Sequence, residues 1–227
     1  AYLLFGQKFP ETEELESSTT ENIKALATPL FIFIALCMTL TATSELGTQQ
    51  WVEKILGNAG ASGMLILALW SGIMALGRYF AGPIVHRLNP VGVLLASAVV
   101  STFGIFLLLN TSGVMVYFAT AVFAVGLTYF WPTMIGFVGE YMPETGALGM
   151  SLVGGAGMFA LTIWNPIIGK WLDTARSEAL ASGLTADEAD LVAGQATLDN
   201  IAVFPAILIV AFGILYILNR RGKLNKG

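Results

Sequence analysis

Six long apolar stretches fill most of the chain: Ala25–Ser44, Ser62–Val85, Val91–Leu109, Val114–Gly139, Ala147–Leu172 and Ile201–Leu218. A helix needs about 20 apolar residues to cross the ~30 Å hydrocarbon core of a bilayer, and several of these stretches reach that length. Lipid offers no partner to an open backbone N–H or C=O, so a segment inside it must satisfy its own hydrogen bonds. The stretches are too long for barrel strands, which leaves helices. The sequence predicts an all-α, polytopic membrane protein: a six-transmembrane-helix bundle embedded in a lipid bilayer.

Composition agrees. Hydrophobic residues make up 56% and charged residues 11%, against roughly one-quarter charged in soluble domains. Ten of the fifteen acids fall in Glu11–Glu21 and Glu178–Asp199, so the net charge of −4 belongs to the connectors rather than to the membrane part. No basic tract points to nucleic acid. A single cysteine, Cys37, rules out an intrachain disulfide, and one His with one Cys makes a His/Cys metal site implausible. No cofactor is expected. Nor is an enzyme: Ser62 and the one histidine, His86, are ~36 Å apart along one stretch at ~1.5 Å per residue, whereas nucleophile and base must lie within ~3.2 Å.

Ala1-Tyr2-Leu3-Leu4-Phe5-Gly6 is apolar and its charges follow it, the reverse of a signal peptide. It reads as the last turns of an earlier transmembrane helix. Residues 1–21 then comprise that helix end and a cytoplasmic linker, 22–219 the six-helix bundle with a polar outer loop at 175–200, and 220–227 a basic cytoplasmic tail. Within the loop, Thr185-Ala186-Asp187-Glu188 has the spacing of a capping box. With the linker inside, the inner segments hold Lys8, Lys24, Arg78, Arg87, Arg220, Arg221, Lys223 and Lys226, and the outer ones only Lys54, Lys170 and Arg176. The positive-inside rule then puts both ends in the cytoplasm.

The polar groups carried into the membrane are the candidates for function. A carboxylate in a membrane helix costs about 2.5–3.5 kcal/mol on insertion scales, so it usually has a partner or a role. Glu45 is the foremost, with Gln49 four residues on along the same helical face. Gly47 permits a helix break there; the plain alternative is that Glu45 reaches the outer interface and titrates in water. Arg78 and Arg87 end the second stretch and Glu140 ends the fourth. A carboxylate–arginine network on the inner side would hold helices together in one conformation and release them in another, while snorkelling to headgroups is the alternative. Trp70, Tyr129, Trp131 and Trp164, the last beside Asn165, lie deep in the stretches. Such rings can stack on a sugar face or simply pack the core. Pro132 and Pro166 each remove a helical hydrogen bond beside one of them.

Three segments carry a family likeness. Gly77–Leu88 resembles the signature between the second and third helices of a major facilitator superfamily half, with Arg78 and Arg87 at its basic positions and without its usual acid. Glu140–Gly146 resembles the acidic end of the fourth helix, without its usual Arg; Glu45–Trp51 and Trp131-Pro132-Thr133 resemble the sugar-type, fucose-permease-like proton symporters. The resemblance implies the carboxy-terminal six-helix half of a transporter, whose partner would be a missing amino-terminal half. It implies a secondary active transporter of a small polar solute, a sugar, coupled to H+, in the plasma or bacterial inner membrane. Glu45, Gln49, Trp70, Tyr129, Trp131, Trp164 and Asn165 would line its substrate cavity, and Arg78, Arg87 and Glu140 its inner gate. Drug or metabolite efflux by the same fold, and a non-transporting sensor or scaffold, stand as alternatives.

Overall fold

The first long apolar helix among the described residues begins where sequence chemistry starts a helix. Thr28 accepts the backbone N–H of Phe31 at 3.4 Å on its hydroxyl, and Pro29 occupies the first helical position, where its missing N–H costs nothing. In this computed structural model residues 19–56, 62–222 and 224 are described. The expected helix end at Ala1–Gly6, most of the Glu11–Glu21 linker, and Lys223 and Lys226 of the tail lie outside the described residues. All regular structure among the described residues is helical.

A short helix α1 (Thr19–Leu26) precedes the first span. The span itself is α2 (Pro29–Ala42), a π-helical turn at Thr43–Gly47, and α3 (Thr48–Leu56) in continuous succession. It therefore starts later and ends later than the apolar run Ala25–Ser44, and Glu45 lies well inside it. The chain returns through α4 (Gly63–Tyr79), breaks at Phe80 and continues as α5 (Ala81–Leu109). α6 (Met115–Leu127) and α7 (Phe130–Tyr141) form one bent span, and a single 3-10 turn (Pro143–Thr145) leads into α8 (Gly146–Ala181) and α9 (Ala186–Arg220).

Five of these segments are long and apolar enough to cross a membrane: Pro29–Leu56, Arg87–Leu109, Met115–Tyr141, Pro143–Ala181 and Ala186–Arg220. The stretch Ser62–Val85 departs from expectation. Its helix Gly63–Tyr79 has 17 residues, because the chain turns at Phe80 before the apolar run is exhausted. Asn89 supplies a second break, at φ 54° and ψ 163°. Pro90 disfavours helical backbone in the residue before it, and Asn89 then caps the helix that follows by accepting the Gly92 N–H at 3.0 Å. The arm Ala81–Leu88 is thereby separated from the span behind it.

Large rings fill the interior: Trp70, Phe123, Phe130, Phe137 and Phe212 are fully buried, while Phe103, Phe106, Phe159 and Val210 stand on the outside. An exterior so rich in large apolar side chains suits lipid rather than water. α5 and α6 cross at near backbone contact. A Cβ on Gly126 would collide with the backbone of Ser101, and one on Gly104 with the backbone of Phe123.

The expected polar loop 175–200 is helical instead. α8 runs to Ala181, the turn spans only residues 182–185, and α9 starts behind a complete capping box between Thr185 and Glu188. Arg176 on α8 pairs with Asp190 on α9 across the hairpin. α8 alone has 36 residues, about 54 Å at 1.5 Å per residue, so the hairpin extends far beyond a ~30 Å apolar layer.

Candidate functional site

Glu45 sits in the π-helical turn, which inserts one residue into the first span and resets the direction of the side chains beyond it. The two hydroxyls just before it fold back on the helix: Thr43 Oγ1 donates to Thr39 O at 2.7 Å and Ser44 Oγ to Leu40 O at 2.8 Å. Such bonds bend helices locally. Gly47 does not break the helix; it lies against Ile168 and Leu161 of α8. The result is a carboxylate only 3% exposed within a span.

Its partner is Arg78. The Arg78 Nη2 donates to Glu45 Oε1 at 2.7 Å, and Arg78 Nε donates to the Thr128 carbonyl at 3.0 Å. That carbonyl is open for a definite reason. Thr128 lies four residues before Pro132, which has no N–H to donate back to it. Tyr129, next in sequence, donates its hydroxyl to the Gly77 carbonyl at 3.1 Å. Gly77 allows this approach, since a Cβ there would meet the Thr128 side chain at 2.7 Å. Three helix irregularities thus converge: the π turn, the end of α4, and the α6–α7 bend.

The pair is lopsided. The Glu45 side chain is 4% exposed and that of Arg78 41%. Glu45 Oε2 is buried with no hydrogen-bond partner. The acid is sealed in, and the rest of the guanidinium faces the open side.

This changes the expected charge network. Arg78 meets the acid of the first span rather than Glu140, because α4 stops at Tyr79 and leaves Arg78 level with the middle of that span. Arg87 is exposed in the arm before Asn89, and Glu140 is half-buried in the last turn of α7.

Beyond Glu45 along the first span lie two amide links. Gln49 Nε2 donates to Ser71 Oγ on α4 at 3.4 Å, and Asn165 Nδ2 donates to Gln50 Oε1 at 2.5 Å. Asn165 Oδ1 is buried and has no partner. Gln50 and Ser71 are additions to the expected set, as is Thr128, whose open carbonyl was implied by Pro132.

The aromatic rings divide. Trp70 is not on a cavity wall: it is fully buried, edge-on to Phe123 with centroids 5.2 Å apart, because its face of α4 packs on α6. Trp131 is half-buried over Gly157, 3.1 Å from where a Cβ there would lie. Trp164 is half-buried between Phe204, at 4.7 Å, and Trp171, at 6.1 Å. Two cavities open along the α8–α9 extension. One of about 320 Å³ is lined by Lys54, Asp173, Arg176 and Asp190, and one of about 530 Å³ by Lys170, Trp171, Glu178 and Asn200. The expected cavity residues line neither of these, while Tyr129 borders a small cavity of about 90 Å³ with Leu88 and Val125. No protein-family model, curated protein or solved structure matches the chain.

Proposed function

We propose that this chain forms six spans of a secondary active transporter that moves a small polar solute, a sugar or a close relative of one, by proton-coupled alternating access. The observation that carries the reading is the Glu45–Arg78 pair, its acid buried, set where three helices depart from regular geometry. Charges are kept inside a membrane at considerable cost and mark ion and substrate pathways. A pair that bridges separate spans at non-ideal turns can be made in one conformation and broken in another. The amides of Gln49, Gln50 and Asn165 supply hydrogen-bonding groups nearby. In this reading the remaining wall of the site comes from a companion bundle, and both ends of the chain face the cytoplasm of a plasma or bacterial inner membrane.

The test is uptake into proteoliposomes holding the full-length protein under an imposed inward proton gradient, with labelled D-glucose and L-fucose as probes. Accumulation above the gradient-free control is expected, and Glu45→Gln should reduce it or flatten its dependence on pH. No gradient-dependent accumulation of either sugar would overturn the sugar reading.

A further inference from the structure

The Glu45–Arg78 pair holds more capacity than it uses. Of the two carboxylate oxygens, Oε1 has the guanidinium and Oε2 has nothing. Arg78 is held twice, by Glu45 and independently by the Thr128 carbonyl, so losing one anchor leaves the other in place. Its outward edge keeps N–H donors, in a planar fork that matches a carboxylate. Ser71, seven residues before Arg78 and so on the same face of α4, carries the Gln49 amide.

We propose that Arg78 is the docking point for a small hydroxylated carboxylate, a sugar acid in class, taken in exchange for Glu45, which is protonated at Oε2. This rests on the transporter reading and names its substrate class. The exchange balances. Before it, Glu45 carries −1 and Arg78 +1. After it, the proton has neutralised Glu45, and the substrate carboxylate has replaced it beside Arg78. A buried carboxylate stripped of its cation must take a proton, and arginine cannot give one up. One anion therefore brings in one proton, and substrate hydroxyls fall to Ser71 and Gln49.

Among the described residues, Arg78 is the charge paired with the carboxylate. α4 contributes Arg78. α8 has no ionisable side chain from Gly146 to Gly169, and α9 has none from Asn200 to Leu215, with Asp199 exposed. The ionisable groups of α7 are Glu140 and Tyr141 at its far end; α2 has Cys37, α3 has Glu53 and Lys54, both exposed and about two turns beyond Glu45, and α1 has Glu21 and an exposed Lys24.

The experiment uses the purified full-length protein in detergent, with D-gluconate and D-glucuronate as probes and D-glucitol and D-glucose as their neutral counterparts. Thermal unfolding reads binding, and a pH dye in weak buffer reads proton uptake. The acids should stabilise strongly and the neutral compounds only weakly, with about one proton taken up per acid bound and affinity for the acids falling about tenfold per pH unit once Glu45 is ionised. Arg78→Gln should abolish the shift. Glu45→Gln, which keeps the shape of the protonated side chain, should bind acid without proton uptake and at a pH-independent affinity. In the wild-type protein, equal stabilisation by neutral and acidic probes, no shift with either acid, or acid binding without proton uptake would each overturn the proposal. Gradient-driven uptake of neutral sugar by a protein that binds no acid would sink the proposal and leave transport standing. Acid binding without gradient-driven uptake of that acid in proteoliposomes would do the reverse.

Discussion

Replacing Arg78 with glutamine would strip a sealed carboxylate of its cation, and the size of the penalty follows from the geometry. Charges 2.7 Å apart interact by about 6 kcal/mol at an effective dielectric constant of ~20. Removing one partner of a fully buried pair costs about 3–5 kcal/mol. The Arg78 side chain is 41% exposed, and its surroundings screen it, which lowers the expectation to roughly 2–4 kcal/mol. For a chain of this size that amounts to a Tm roughly 5–15 °C lower. Removing both charges, in Glu45→Gln with Arg78→Gln, leaves no orphan, so the double variant should melt closer to wild type than Arg78→Gln alone. The assay is a thermal-unfolding cycle on four purified full-length proteins in one detergent. If Arg78→Gln melts within about 1 °C of wild type, or the two effects simply add, the pair does not anchor these helices and the reasoning from burial fails.

At the α5–α6 crossing, Gly126→Val would drive a side chain into the Ser101 backbone. It should cost about 3 kcal/mol or more, while Gly155→Ala, with nothing within 4 Å, should melt like wild type. Pro132→Ala returns an N–H to the Thr128 carbonyl in competition with Arg78. The penalty of Arg78→Lys, about 1–2 kcal/mol in the wild-type background, should therefore shrink in Pro132→Ala, as read by the same melts. Thr185→Ala removes the capping box and should cost about 1 kcal/mol. Hydrogen exchange should quicken in the first turn of α9 and stay unchanged in α5.

Apolar length was enough to read helices and roughly where they run, because lipid leaves the backbone no alternative. Breaks were harder. Asn89-Pro90 announces one through a cap and a proline, whereas Phe80 carries no such signal, and the 17-residue α4 was not visible within a longer apolar run. The polar run Ala175–Asn200 looks like a loop by composition, yet its residues are good helix formers, stapled across by Arg176 and Asp190. At the candidate site, Glu45 stood out by its cost. Its partner was within reach of hairpin arithmetic: Glu45 lies 11 residues before Leu56 and Arg78 lies 15 after Gly63. At 1.5 Å per residue the offset is about 6 Å, an arginine's length. Trp70 misled because a ring deep in a span is the same in sequence whether it packs a core or lines a cleft.

The α8–α9 hairpin turns a small motion into a large one. Its helices run without interruption from the bundle to the turn at Gly183, so roughly 24 Å of stiff lever stands beyond the apolar layer. A tilt of ~10° inside the membrane would swing the tip by about 4 Å, which makes residues near Gly183 the natural place to attach a spectroscopic pointer for movements deep in the bundle.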